Sequence, residues 1–426
     1  MHGIRGYLIN TLWLMSRPLL RLAVAFFVGI FVVRYLGPAR FGQLSFAESF
    51  VRLFVPFVTL GMDPILVKHL VSSPRKSHSI LGTAFVMKMM GVIVMMICVT
   101  VAVQFTSSDV ATKLMTVIIA FSIGFLPFFQ VTDQYFQSLV KAKYSALCEN
   151  TAVFFSASLK AIFVCLRLSV VWFAVVIFLE SVVRFTVLFL MYLRQIGKVT
   201  AWRFDGTYAR LLIRESWPMF FSVISGVLYL RIDQVMIKEM MGNEALGFYA
   251  AAVRLSEMWY FIPTTLAMSL FPAIIEAKNT NCHVFQKRMH SFYALLFWIA
   301  IAIAIPLSFL STDIVILLFG CEYESAGPVL NIHIWAAVFV FLRTASTRWI
   351  LAEGWTRKVL YMSAGGLCIN LLLNFLLIPR IGIIGAAVAT LMAEFYTGLV
   401  YDAVDRDMRP SFLMKIKVWI PFWRVV

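Results

Sequence analysis

The sequence predicts an all-α integral membrane protein, with about twelve transmembrane helices in two six-helix lobes related by a parallel repeat. Three observations predict it. Apolar runs of about 20 residues recur from end to end, the length a helix needs to cross a ~30 Å hydrocarbon core. They lie in a chain that is 61% hydrophobic and only 14% charged, with a mean hydropathy of +0.88; ordinary soluble domains carry about 25% charged residues. Lys and Arg crowd alternate connecting segments, and two pairs of similar segments lie about half a chain apart. A β-barrel would show short alternating strands, and the sequence has none.

The predicted spans are 12–36, 42–67, 79–105, 111–139, 144–166, 169–194, 212–240, 244–276, 289–311, 327–352, 357–378 and 382–402. The longest loop covers 195–211, too short for a soluble domain. The organisation expected is an N-terminal lobe over 1–200, a C-terminal lobe over 201–409 and an amphipathic cytoplasmic tail over 410–426. The tail, "PSFLMKIKVWIPFWRVV", mixes cations with Trp and Phe and is too charged to span. A helix lying on the inner membrane surface and a frayed end both remain open for it. Arg17, Pro18 and Arg21 lead into an apolar stretch with no small-residue cleavage site, so the N-terminus reads as retained rather than as a signal peptide.

Lys and Arg set the orientation. The segments on one side, from Arg5 and Arg17 through Lys68, Lys141, the 194–214 stretch, Lys278 and Arg357 to the tail, carry 22 of them. The opposite side carries 6: Arg34, Arg40, Lys113, Arg167, Lys238 and Arg380. Both termini are therefore expected in the cytoplasm. The net charge of +16 follows from this topology, and no nucleic-acid partner is predicted. The six cysteines, at 98, 148, 165, 282, 321 and 368, form no CxxC. Neither a disulfide framework nor a metal site is indicated, and no cofactor is expected.

"GPARFGQLSFAESFVRLF" from Gly37 and "GNEALGFYAAAVRLSEMW" from Gly242 share Gly-x4-Gly followed by a helix bearing Arg and Glu. Their offset is 205 residues. A second offset, of 214, pairs Lys143 with Arg357 and Glu180 with Glu394. Both relate helices six apart in the same direction across the membrane. Transporters built from such repeats place substrate between the lobes and rock one against the other.

Several stretches carry a resemblance: "RYLGPARFGQLSF" (34–46), "LGMDPILVKHLV" (60–71), "FQSLVKAKYSAL" (136–147), "RIDQVMIKEMMGNEALGFYAAAVRLSEMWYFIP" (231–263) and "NLLLNFLLIPRIGIIGAAVAT" (370–390). Together they resemble the bacterial oligosaccharide flippases of O-antigen and capsule synthesis. These are polysaccharide biosynthesis proteins of the multidrug/oligosaccharidyl-lipid/polysaccharide exporter superfamily. Lys238-Glu239 departs from the pattern, at an outer helix end. The resemblance implies a multi-pass transporter of the bacterial inner membrane. It would carry an undecaprenyl-pyrophosphate-linked oligosaccharide from inner to outer leaflet, in membrane lipid, beside polysaccharide polymerase and glycosyltransferase partners. The alternative within the superfamily is a drug/cation antiporter. A membrane-embedded transferase and a noncatalytic scaffold are further readings.

Charges inside the helices name the candidate residues. At 1.5 Å per residue from Gly42, Glu48 lies about 9 Å deep and Arg52 about 15 Å deep. A lone charge there costs at least ~2.5–3.5 kcal/mol and faces a bundle interior or a watery cavity. Helix 8 carries Arg254 and Glu257, helix 6 carries Glu180 and Arg184, helix 7 carries Arg231 and Asp233, helix 10 carries Arg343 and Arg348, and helix 12 carries Glu394. Spacings of three or four also let partners on one helix face neutralise each other. A wet, cationic inter-lobe cavity for pyrophosphate is expected from the arginines, whose planar fork suits phosphate oxygens. The substrate-binding candidates are Arg52, Arg231, Arg254, Arg343, Glu48, Arg184, Glu257 and Asn374. The ion-coupling candidates are Glu180, Asp233 and Glu394. Asn370 and Asn374 share a helix face and serve either packing or sugar hydroxyls. Asp133 and Lys160 read as isolated intramembrane charges. Pro56, Pro127, Pro263, Pro272 and Pro306 offer bends.

No chemistry of bond-making is visible. "GPARFGQ" has the glycine spacing of a phosphate loop but lacks the Lys-Ser/Thr that follows in one. The six histidines make no ligand spacing, and no nucleophile elbow occurs. The expectation is a transporter, not an enzyme, driven by an ion gradient, the membrane potential or substrate flux.

Overall fold

The computed structural model describes residues 4–197 and 199–418. Its helices in chain order are α1 (Ile4–Phe54), α2 (Pro56–Thr59), α3 (Asp63–Ser72), α4 (Ser77–Ala102), α5 (Val110–Ile123), α6 (Leu126–Ser138), α7 (Ala142–Cys165), α8 (Val170–Gln195) and α9 (Gly206–Met241). They continue as α10 (Asn243–Glu257), α11 (Phe261–Thr280), α12 (Cys282–Phe309), α13 (Ser311–Phe319), α14 (Ala326–Glu353), α15 (Thr356–Ile381), α16 (Ile383–Phe395), α17 (Tyr401–Val404) and α18 (Arg409–Ile416). Among the described residues, ten helical stretches are long and apolar enough to cross a membrane. Phe27, Phe31, Ile93, Ile97, Phe105, Phe309, Leu372 and Phe375 all point outward, which suits lipid and not water.

The predicted helices are present, with breaks where the sequence reading ran them straight. The first two form one continuous stretch, α1, bent at Gly37 (φ 68, ψ 169). Gly242, its mate at offset 205, has φ 91 and ψ −177. This region is essentially open to glycine alone, so the repeat fixes the same backbone twist twice. α1 ends before Pro56, and the chain turns again through Leu60 (φ 53) and Gly61 (φ 65). Predicted helix 4 splits between α5 and α6 at Gly124, just before Pro127. Predicted helix 8 splits into α10 and α11 through a 3-10 turn at Met258–Tyr260. Val55 and Tyr260 stand 205 residues apart, so the two repeat helices break at equivalent positions.

Two compact units result: Met1–Leu36 with Gln43–Val227, and Gly37–Gly42 with Leu228–Val426. The change of unit falls inside α9 rather than near residue 200. α9 is a single 36-residue helix, and its halves belong to different units. In the first unit, Met62, Leu66, Leu70, Ile80, Leu81 and Val131 form one apolar cluster with Leu212. The loop before α9 seals it: the Arg203 N–H donates to His78 O, and the Trp202 Nε1–H donates to the Tyr192 hydroxyl at 2.8 Å.

The tail is neither frayed nor simply laid on a surface over its described part. α18 buries Ser411 and Lys415 in the second unit. Lys415 Nζ lies 2.7 Å from Asp402 Oδ2, both side chains fully enclosed, and donates to Gly398 O at 2.5 Å. Gly398 belongs to a π-helical turn, Tyr396–Val400. Residues 419–426 of the predicted tail lie outside the described residues. Ahead of α18, Lys358 binds Asp405 at 2.5 Å and Asp407 at 2.7 Å. Burial alone would raise the Asp405 carboxyl, but the hydrogen bond and charge of Lys358 outweigh it and hold it below the ordinary aspartate range. A lowered folded value stabilises above the unfolded pKa of about 3.9 and is lost as pH falls through the folded one. Acid titration of thermal stability in detergent is therefore expected to show a loss below about pH 4 that Asp405→Asn shows much less. Equal acid sensitivity of the two proteins would remove Asp405 as the cause.

Candidate functional site

The first unit concentrates charge where α1, α6, α7 and α8 meet. Arg17 pairs with Asp133 at 3.1 Å. Arg21 bonds Glu149 and lies 3.4 Å from Glu180. Arg184 pairs with Glu180 at 2.6 Å and with Glu149 at 3.3 Å. Phe129 carries the Arg17 guanidinium 5.8 Å and the Arg184 guanidinium 5.6 Å from its ring centroid. Three arginines thus meet three carboxylates, and each acid shares its proton acceptors with a cation. Such a network tolerates apolar surroundings because no charge is left alone. It can also exchange partners, since an incoming anion can replace a carboxylate on a guanidinium fork.

This cluster corrects the sequence reading in two ways. Asp133 is not isolated; besides Arg17 it accepts from Gln137 Nε2 at 2.9 Å. Lys160 acts electrostatically on Glu180. In the sequence Arg17 counts with the cations that set orientation and Arg21 only leads into the apolar stretch, yet both lie inside α1 and carry ion pairs to other helices. Their i,i+4 spacing was the available signal. Lys88 was missed as well: it is fully buried, and Nζ donates to Asp63 Oδ1 and to Gln130 Oε1, each at 2.6 Å. A lone Lys inside the apolar run of α4 was the clue.

The Glu48–Arg52 pair behaves differently. Glu48 and Arg52 stand 4.0 Å apart, with side chains 38% and 57% exposed. Arg52 lies near the middle of the stretch from Gly37 to Ser72 and keeps its head outside the packed interior.

In the second unit, Glu257 reaches beyond its own helix, in which Arg254 is exposed. It pairs with Arg231 of α9 at 3.3 Å. Arg343 grips Glu394 through Nε at 3.0 Å and Nη2 at 3.3 Å, and the Thr397 hydroxyl donates to the same carboxylate at 3.2 Å. Asp233 is buried; it accepts from the Tyr249 hydroxyl and from the Gln234 N–H at 2.7 Å. Tyr249 lies 3.4 Å from Thr390 Oγ1. Asn374 Nδ2 donates to Asn370 Oδ1 at 2.9 Å, both residues being buried, so the asparagines join α15 to itself and, through Thr390, to α16. Lys238 is enclosed and pairs with its neighbour Glu239 at 2.8 Å. Arg348 rests over the Phe271 ring, 5.3 Å from its centroid.

Comparison with known proteins identifies the family and the fold. The family model described as "Polysaccharide biosynthesis protein" matches residues 7–278, and a second model, MatE, matches 218–376. The Haloferax volcanii protein named "Probable flippase AglR" is 24% identical over 171 residues, 39% of this chain and 35% of the relative. The curated relatives that match are spanned over 20% to 43% of their own length. Solved structures share the fold over nearly the whole chain. The lipid II flippase MurJ in an inward closed conformation superposes with a TM-score of 0.75 at 14% identity, covering 98% of this chain and 92% of its own. An inward-facing multidrug resistance MATE family transporter gives 0.72 at 11% identity, covering 95% and 94%. The chain, with its all-helical two-unit fold and its charged membrane helices, belongs to the polysaccharide biosynthesis protein family of the multidrug/oligosaccharidyl-lipid/polysaccharide exporter superfamily.

Proposed function

We propose that the protein is a lipid-linked oligosaccharide flippase of the bacterial inner membrane, with both termini cytoplasmic. It moves a polyprenyl-pyrophosphate-linked repeat unit, of the undecaprenyl type, from inner to outer leaflet by alternating access. The observation that carries this reading is Arg52: a mid-span guanidinium whose side chain is 57% exposed and whose Nη2 stands 4.0 Å from Glu48 Oε2. The shorter pairs of Arg184, Arg231 and Arg343 hold those cations tightly. An exposed guanidinium at this depth offers its planar fork of donors to a pyrophosphate oxygen. The prenyl tail stays in lipid, and no covalent bond changes. Of the coupling candidates, Glu180 and Glu394 are committed to arginines. Asp233 is bonded to a hydroxyl and a backbone N–H, so it is the carboxylate best suited to exchange a proton or cation. Glycosyltransferases would supply the substrate and a polymerase would consume it.

Cells lacking the protein, with no second flippase, are expected to accumulate lipid-linked repeat units on the inner leaflet. Wild type restores delivery, and Glu48→Gln with Arg52→Gln inserts normally but fails to restore it. Removing both members strands neither charge, so a purely neutralising pair would tolerate the double change; near-normal export by it would return the pair to a structural role. The MatE match over 218–376 supports a drug/cation antiporter as second reading, which export of a cationic dye in place of glycan would establish.

A further inference from the structure

Both mid-span breaks of the first unit open on one cavity. The break at Leu60 and Gly61 exposes the start of α3, and the break at Gly124 exposes the start of α6. A cavity of about 340 Å³ lies there, lined by Asp63, Leu126, Gln130, Asp133, Gln134 and Gln137 among others. Irregular backbone at membrane depth persists where it is buried in protein or lines a water-filled cavity. Discontinuous helices are how transporters build binding sites. Leu60 adds a second sign, since a non-glycine residue with positive φ marks strain of the kind found at functional sites.

The charge balance decides what the cavity suits. Asp63 is matched by Lys88, and Asp133 by Arg17. An anion entering would meet two carboxylates, and an inorganic cation would meet an ammonium and a guanidinium behind them. The wall is nevertheless strongly polar: Gln130 Oε1 accepts from Lys88, Gln134 and Gln137 donate through Nε2 to Asp63 and Asp133, and the other end of each amide can serve a ligand. Gln134 is 5% exposed. Its Nε2 donates to Asp63 at 2.6 Å, while its Oε1 is buried and accepts from no group among the described residues. A neutral, hydroxyl-rich ligand supplies donors of the right kind. Ligand pockets run from about 300 to 1,000 Å³, so this one takes one or two sugar residues, not a whole repeat unit.

We propose that this cavity of the first unit is a sugar subsite, which binds an uncharged sugar residue of the lipid-linked glycan. The proposal rests on the flippase reading above and adds where the glycan is gripped. The Phe129 ring closes one wall with its faces already taken by Arg17 and Arg184, so amides rather than aromatic stacking hold the sugar.

The test uses the full chain in detergent. The probe is the oligosaccharide released by mild acid from the lipid-linked pool of cells lacking the protein. Titration calorimetry of wild type is expected to show binding. Val67→Phe, which fills the cavity from its wall, and Gln137→Leu, which removes an amide from a partly exposed side chain, are each expected to weaken it at least tenfold. Should Val67→Phe not fold, Gln137→Leu alone carries the comparison. Inorganic pyrophosphate binding is expected to be the same in wild type and in both variants. Absence of a lipid-linked pool overturns the flippase reading and this proposal with it. A pool whose oligosaccharide does not bind wild type, or binds Gln137→Leu as tightly as wild type, overturns the sugar subsite alone.

Discussion

Lys415→Met is expected to destabilise the second unit by about 3–5 kcal/mol, the cost of stranding one member of a buried ion pair. Lys415 and Asp402 are both fully enclosed, 2.7 Å apart. Asp402 also accepts from the Ser411 hydroxyl at 2.6 Å and the Ser346 hydroxyl at 3.1 Å, and Ser411 shares a 2.6 Å hydrogen bond with Tyr293. Removing the ammonium leaves a carboxylate that two hydroxyls cannot neutralise. Burial already pulls the Lys415 pKa below its ordinary value, with Asp402 opposing. Asp402→Asn therefore lets the lysine discharge and is expected to cost less than Lys415→Met. The double variant, which buries no charge, is expected to regain most of the loss. Thermal unfolding in detergent, with protease release of the C-terminal segment as second readout, checks the series. An unchanged Tm for Lys415→Met would show that the pair contributes nothing.

Gly247→Ala and Gly42→Ala are expected to destabilise where helix propensity says the opposite. Gly to Ala inside a helix normally stabilises by about 0.5–1 kcal/mol. A Cβ at Gly42 would stand 1.8 Å from Asn243 O, and one at Gly247 would stand 2.0 Å from Pro38 O. The obstacle is backbone in both cases and has no rotamer to escape into. Overpacking of this kind costs about 1–3 kcal/mol and occasionally more. The two contacts are reciprocal: Pro38 and Asn243 are themselves repeat mates, as are Gly42 and Gly247, so the Gly-x4-Gly motif of each repeat segment receives the backbone of the other. Gly226→Ala is the control, because a Cβ there meets nothing within 4 Å, and it is expected to be neutral or mildly stabilising. Thermal stability and glycan export measured together distinguish the sites. Gly247→Ala as stable as Gly226→Ala would refute the close approach.

The sequence by itself determined the helical membrane class, the approximate spans and the internal repeat. Those depend on local quantities: the length of an apolar run, the placement of Lys and Arg, and glycines at a fixed offset. The Glu180–Arg184 pair was legible for the same reason, since i,i+4 groups share a face whatever the tertiary fold. Tertiary structure alone decided the other partners. Glu257 found Arg231 across 26 positions, Arg343 found Glu394 across 51, Arg17 found Asp133 across 116, and Lys415 found Asp402 under a π-helical turn. A buried charge takes the counter-charge that packing brings within a few ångströms, because in a low dielectric that proximity outweighs anything local spacing offers. The breaks at Leu60 and Gly124 were hidden likewise: Pro56 and Pro127 signalled bends, but only the assembled first unit showed both bends opening on one polar cavity.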